Sequence, residues 1–124
     1  MNAREHSVLI VDDDATWRLL LSLSLRDAGF EVRTSATSAD AEKLLELIVP
    51  SVLLVDIVQP GEDGLGILEW NAAQHAPVPV LALTAKRSSR LQETLEALRV
   101  EVTLYKPIRA RDLVDRVAGL CEAA

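Results

Sequence analysis

The sequence predicts an α/β protein: a parallel sheet with helices covering both faces. Three observations carry this. Four short apolar runs and a weaker fifth, each the length of one strand, alternate with stretches whose apolar residues recur at helical spacing. The best of these runs are apolar throughout rather than alternating, as strands buried on both faces are. The chain has 124 residues, of which 49% are hydrophobic and 26% charged, so it can bury one core and keep a polar surface, with no room for a second domain. One unit over residues 1–124 is therefore expected.

The first run, Ser7–Val11, stops at Asp12-Asp13-Asp14. Asp14 is suited to cap the next helix, because its carboxylate can accept the free N–H groups of a first turn. Trp17, Leu21, Leu25 and Ala28 follow at helical spacing, and Gly29 is a stop residue. Glu31–Thr34 is a weak second strand. Thr37 or Ser38 opens a helix with Ala41, Leu44, Leu45 and Ile48 as its apolar stripe, closed by Pro50. Ser51–Val55 is the third strand and runs into Asp56. Val58 to Gly64 reads as a loop, since it holds Pro60, Gly61 and Gly64. A helix from about Leu65 to Ala73 follows. The fourth strand, Val80–Leu83, ends at Thr84, and Ser88 or Ser89 caps a helix to about Leu98. Val100–Tyr105 is the fifth strand, ending at Lys106-Pro107. The last helix spans about Ala110 to Cys121, with Leu113, Val117 and Leu120 inward.

Composition excludes several function classes. With 13 Lys and Arg against 19 Asp and Glu, the net charge is −6, which argues against direct binding to nucleic acid. No apolar run reaches the roughly 18–20 residues that cross a bilayer, and no secretory leader is visible, so a cytoplasmic protein without membrane contact is expected. The single cysteine, Cys121, allows no internal disulfide and no multi-cysteine metal site; packing is its simpler role. His6 and His75 lie away from the strand ends and are expected to be exposed. Trp17 and Trp70 are expected to be partly buried on helices.

The informative residues are polar ones that terminate apolar strands: Asp12-Asp13, Asp56, Thr84 and Lys106. In an open parallel sheet the carboxyl edge is where ligands bind. These residues should therefore converge. Carboxylates gathered there repel, at about 4 kcal/mol for two unit charges about 4 Å apart in an effective dielectric of about 20. Lys106 offsets part of that, and a hard divalent cation such as Mg²⁺ would suit an all-oxygen site.

Taken together, Val11-Asp12-Asp13, Leu54-Val55-Asp56 with Pro60 and Gly64 after it, Leu83-Thr84-Ala85, and Tyr105-Lys106-Pro107 resemble the receiver domain of two-component response regulators. The likeness covers nearly the whole chain. It implies a flavodoxin-like (βα)5 fold with strand order 2-1-3-4-5. It implies that Asp56 is the phosphoacceptor, with Lys106 pairing with Asp56 or its phosphoryl group and Thr84 donating to a phosphoryl oxygen. Mg²⁺ would be held by Asp13, Asp56 and the backbone carbonyl of Val58, with Asp12 acting through water. The Lys106–Pro107 bond would be cis. The phosphodonor would be a sensor histidine kinase or a phosphotransfer protein. Output would pass through the surface of the fourth helix, fifth strand and fifth helix, to a partner or a second copy. Apart from its own phosphorylation and slow dephosphorylation, such a domain is no enzyme.

Two features depart from that pattern. The aromatic residue usual three positions before the lysine is replaced by Thr103, and Tyr105 stands directly before Lys106 instead. Residues 103 and 105 share a strand face, so Tyr105 is placed to take over part of a switching role. The segment Arg99-Val100-Glu101-Val102 lacks the usual Gly-Ala turn, so the end of the fourth helix should differ in shape. Val58, two residues after Asp56, offers no polar side chain to orient water, which implies slow loss of phosphate.

Three other readings compete. A Mg²⁺-dependent phosphohydrolase would normally need a second acid two residues after Asp56, where Val58 stands. A flavodoxin-like cofactor binder would need a phosphate loop where this chain has three acids. A degenerate receiver, binding partners without phosphate, would be expected to lack acceptor residues that are all present here.

Overall fold

In the computed structural model, which describes residues 6–57 and 63–123, ten elements alternate without exception: β1 (Ser7–Val11), α1 (Ala15–Asp27), β2 (Glu31–Ser35), α2 (Ser38–Leu47), β3 (Val52–Ile57), α3 (Asp63–Ala72), β4 (Val80–Thr84), α4 (Ser89–Ala97), β5 (Val102–Tyr105) and α5 (Ala110–Ala123). All neighbouring strands pair in parallel, in the order β2-β1-β3-β4-β5. The expected flavodoxin-like architecture is the one observed.

Period-2 alternation splits the core between the two faces of the sheet. Val8, Ile10, Leu54, Leu81 and Leu83 meet Leu21 and Leu25 of α1 and Leu113 and Val117 of α5. Leu9, Val11, Leu53, Val55, Ile57 and Ala82 meet Ala41 of α2, Ile67 and Leu68 of α3, and Leu91 and Leu95 of α4. The central strands β3 and β4 are buried along their whole length, which is why their sequences are apolar without alternation. Cys121 is free and lies in the core on the α1/α5 side.

The caps explain why helices start where they do. Asp14, Thr37 and Ser88 each sit in extended backbone and accept the N–H of the residue three positions on. Ser38, the alternative start for α2, does something else: its Oγ accepts the N–H of Ile67 at 3.0 Å and ties α2 to α3. Asn71 holds the exit from α3. Its side-chain amide donates to the Val78 carbonyl and its carbonyl accepts the Val78 N–H. Helix α1 ends in a Schellman turn, with Gly29 at φ 101°, Gly29 N–H bonded to Arg26 O and Phe30 N–H to Leu25 O.

Several expected boundaries shift. Strand β3 runs on to Ile57, so Asp56 lies within the strand, opposite Leu83, rather than just beyond it. Gly64 falls in the first turn of α3 rather than in a loop. Ile48 caps α2 in extended backbone instead of extending its stripe. Strand β5 starts at Val102 because the Val100 N–H is taken by Leu95 O in the turn that ends α4. That turn is the second Schellman turn, and Arg99 occupies its left-handed position at φ 64° where glycine is usual. The altered end expected for α4 is thus a strained backbone in a standard shape. His75 is exposed as expected. His6 is not: it is half-buried, and its Nε2 is enclosed with no hydrogen-bond partner among the described residues.

Candidate functional site

Alternation along the strands decides which polar side chains meet. Asp12 follows Ile10 by two residues, Asp56 follows Leu54, and Lys106 follows Leu104. Each of the three apolar residues belongs to the α1/α5 side of the core. Their polar successors therefore gather on that side, at the carboxyl edge of the sheet. Thr84 follows Ala82, which faces the other side. It lies on the neighbouring strand, opposite Ile57 and Tyr105.

Asp56 is buried, and its Oδ2 accepts a hydrogen bond from Lys106 Nζ at 2.6 Å. Its Oδ1 is enclosed and has no partner among the described residues. Asp12 is also buried. Its Oδ1 accepts the Asp14 N–H at 3.0 Å, and its Oδ2 has no partner among the described residues. The backbone of Asp12 is held from both sides: its N–H donates to Ser35 O, and its carbonyl accepts from Arg18 Nη1 at 2.7 Å. Burial pushes the Asp12 carboxyl up from 3.8 to about 7, and the charge of the neighbouring Asp56 adds to that. The Asp14 N–H and the Lys106 charge pull the other way and are outweighed.

Of the two buried acids, only Asp56 is thus bonded to the lysine. Two carboxylate oxygens remain that no described donor satisfies, and hard oxygens in that state suit a hard divalent cation. Asp13, next in sequence, is exposed, and among the described residues no group of three His, Cys, Asp or Glu side chains is gathered closely enough to hold a metal by itself. Val58, expected to offer its carbonyl, lies outside the described residues.

Thr84 is buried, and its Oγ1 accepts the Lys86 N–H at 3.1 Å. Its carbonyl accepts the Lys106 N–H, which ties the end of β4 to the residue after β5. The Lys106–Pro107 bond is cis, as the resemblance implied. Tyr105 pairs with Thr84 in register. Its hydroxyl donates to Gln92 Oε1 at 3.0 Å, and the Arg87 guanidinium lies 4.0 Å from its ring centre.

Two contacts leave no mark in the sequence, although Trp17 stands close enough behind the acidic run for its fluorescence to be expected to report metal or phosphate there. Arg18 stands four residues after the capping Asp14, a spacing that any surface arginine of a helix can have, so its grip on the Asp12 carbonyl left no signal. The indole of Trp17 lies 4.9 Å from Lys106 Nζ, a pairing across 89 residues of chain that no local pattern foretells.

Comparison with known proteins agrees with this geometry. The family model described as the response regulator receiver domain matches residues 8–118. The transcriptional regulatory protein GltR of Pseudomonas aeruginosa is 32% identical over all of this chain and 52% of its own length. The transcriptional regulatory protein PhoP of Escherichia coli is 30% identical over 91% of this chain and 51% of its own. The chain thus spans about half the length of these curated relatives. Among solved structures, a putative response regulator from Chloroflexus aurantiacus superposes with a TM-score of 0.84 at 32% identity, covering 94% of this chain and 98% of that one. The chemotaxis response regulator CheY4 of Vibrio cholerae gives 0.82 at 26% identity, covering 93% and 98%. With the family model matching most of its length and its fold shared with these structures, the chain belongs to the family of response regulator receiver domains.

Proposed function

We propose that residues 1–124 act as one phosphorylation-driven switch, with Asp56 as the phosphoacceptor. The observation that supports this best is the state of Asp56. It is buried at the ligand-binding edge of the sheet, one oxygen is held by Lys106, and the other has no partner among the described residues. Lys106 holds the carboxylate by one oxygen and aims the other. The free oxygen attacks the donor phosphorus, the bond from phosphorus to a phosphohistidine nitrogen or to an acyl-phosphate oxygen breaks, and its electron pair leaves with the donor. Asp13, Asp56 and the Val58 carbonyl would hold Mg²⁺, with Asp12 acting through water. When bound, Mg²⁺ supplies charge neutralisation between donor oxygens and acceptor carboxylate. Thr84 then donates its hydroxyl to a phosphoryl oxygen, and Lys106 pairs with another.

The donor in this reading is a sensor histidine kinase or a phosphotransfer protein. Phosphorylation adds about −1.5 to −2 charge at a buried edge, and Thr84 and Lys106 shift to meet it. Both lead into the α4-β5-α5 surface, where a partner or a second copy would read the change. Tyr105, beside Thr84 and fixed to Gln92 and Arg87, carries that movement to α4.

The test is incubation with acetyl phosphate and Mg²⁺, followed by intact-mass measurement. A gain of one phosphoryl group that Asp56→Asn and chelation of Mg²⁺ both abolish is expected. Steady hydrolysis of many phosphoesters would favour the phosphohydrolase, and no adduct at all the phosphate-independent binder.

A further inference from the structure

We infer that Trp17 is a positioning residue for Lys106, its indole face holding the ammonium against Asp56. This rests on the reading of Asp56 as the acceptor and deepens it. The placement follows from the caps and the helix period. Asp14 accepts the Trp17 N–H at 3.0 Å, so the turn that presents Asp12 and Asp13 also fixes where the indole starts. Trp17, Leu21 and Leu25 form one stripe at four-residue spacing, and the two leucines are buried against the sheet. Helix α1 runs back from the carboxyl edge, so Trp17 tops the stripe beside the site, where it packs on the α1/α5 side of the core with Ile108.

Lys106 Nζ lies 4.9 Å from the ring centre while bonded to Asp56 at 2.6 Å. That is within the reach of a cation–π attraction. A lysine side chain otherwise has many rotamers that lead to water. With a carboxylate on one side and a π face on another, the ammonium is held in the one place from which it can meet a phosphoryl group. Packing alone does not explain a tryptophan here. Its Nε1 is enclosed with no partner among the described residues, and an orphaned donor is costly. An aliphatic side chain would fill the stripe without that cost. What it would lack is the face.

The experiment has two arms. In the first, Asp56 labelling by acetyl phosphate is timed in Trp17→Met, which fills similar volume without a ring, and in Trp17→Phe, which keeps one. Trp17→Met should label about fivefold more slowly, the rate equivalent of an ordinary cation–π contact, and Trp17→Phe should stay close to the parent. In a Lys106→Met background, Trp17→Met should change nothing further. Equal losses in the Met and Phe variants, or a Trp17→Met loss that persists without Lys106, would overturn the inference. The second arm needs no phosphorylation. With Trp70→Phe leaving Trp17 as the sole indole, Lys106→Met should change its emission; an emission indifferent to Lys106 would overturn the inference. If the parent itself takes up no phosphoryl group, the acceptor reading fails, and this second arm still decides the contact between Trp17 and Lys106.

Discussion

Replacing Asp12 with asparagine should make the protein more stable in the absence of Mg²⁺, and the gain should grow with pH. Asp12 is buried with Asp56 beside it, and its carboxyl is pushed up from 3.8 to about 7. The folded state therefore holds this proton more tightly than the unfolded chain does. Below pH 3.8 the acid is neutral in both states and costs nothing. Between 3.8 and 7 the unfolded state ionises and the folded state does not, so stability is lost steadily as pH rises; above 7 the loss is complete. At 1.36 kcal/mol per pH unit, the full loss is about 4 kcal/mol, of which about 3 kcal/mol accrues between pH 5 and pH 8. Asparagine is nearly the same shape, keeps an oxygen for the Asp14 N–H, and can donate to Asp56. Urea unfolding of the parent and of Asp12→Asn, at pH 5 and pH 8 with a chelator present, isolates Asp12 and the groups that feel its charge, because titrations elsewhere cancel in the difference. The advantage of Asp12→Asn should rise by about 3 kcal/mol over that interval. An advantage that is the same at both pH values would refute the argument that the Asp12 charge is held at a cost.

Other outcomes are open to measurement. Asn71→Ala removes both hydrogen bonds to Val78 and leaves that peptide's N–H and C=O unpaired, so denaturant unfolding should show a loss of about 2–3 kcal/mol; a loss below about 0.5 kcal/mol would mean that water takes over the clamp. Arg99→Gly relieves the left-handed backbone at φ 64° and should raise stability by about 0.5–1 kcal/mol after the greater freedom of glycine in the unfolded chain is counted. Destabilisation would show that the arginine side chain contributes more than its backbone costs. Val58→Asn supplies an amide able to orient water and should shorten the lifetime of the phosphorylated protein; equal decay rates would remove that argument.

The sequence made the architecture legible because β1, β3 and β4 each announce themselves twice, by a continuous apolar run and by the polar residue that stops it. Asp12, Asp56 and Lys106 could be placed at one edge for the same reason. Less legible was which face each side chain takes. Reading Asp56 as lying beyond a strand that ends at Val55 hides its alternation with Leu54, which puts it on the α1/α5 side with Asp12 and Lys106. The ends of α2 and β5 moved because the bonds that set them, such as Val100 N–H to Leu95 O, belong to the turn rather than to the apolar pattern. The Trp17–Lys106 contact and the grip of Arg18 on the Asp12 carbonyl were illegible, since each joins residues through the fold and neither has a spacing that marks it out.

Capture of a phosphoryl group by the Asp56 carboxylate can be read at the residue itself. The most direct measurement is trapping: treat the protein with acetyl phosphate and Mg²⁺, reduce the acyl phosphate with borohydride, and locate the resulting homoserine by tandem mass spectrometry. Homoserine at position 56, absent when Mg²⁺ is chelated, is the predicted result. Reduction at a different acid, or unmodified Asp56 in protein that has taken up phosphate, would contradict the account.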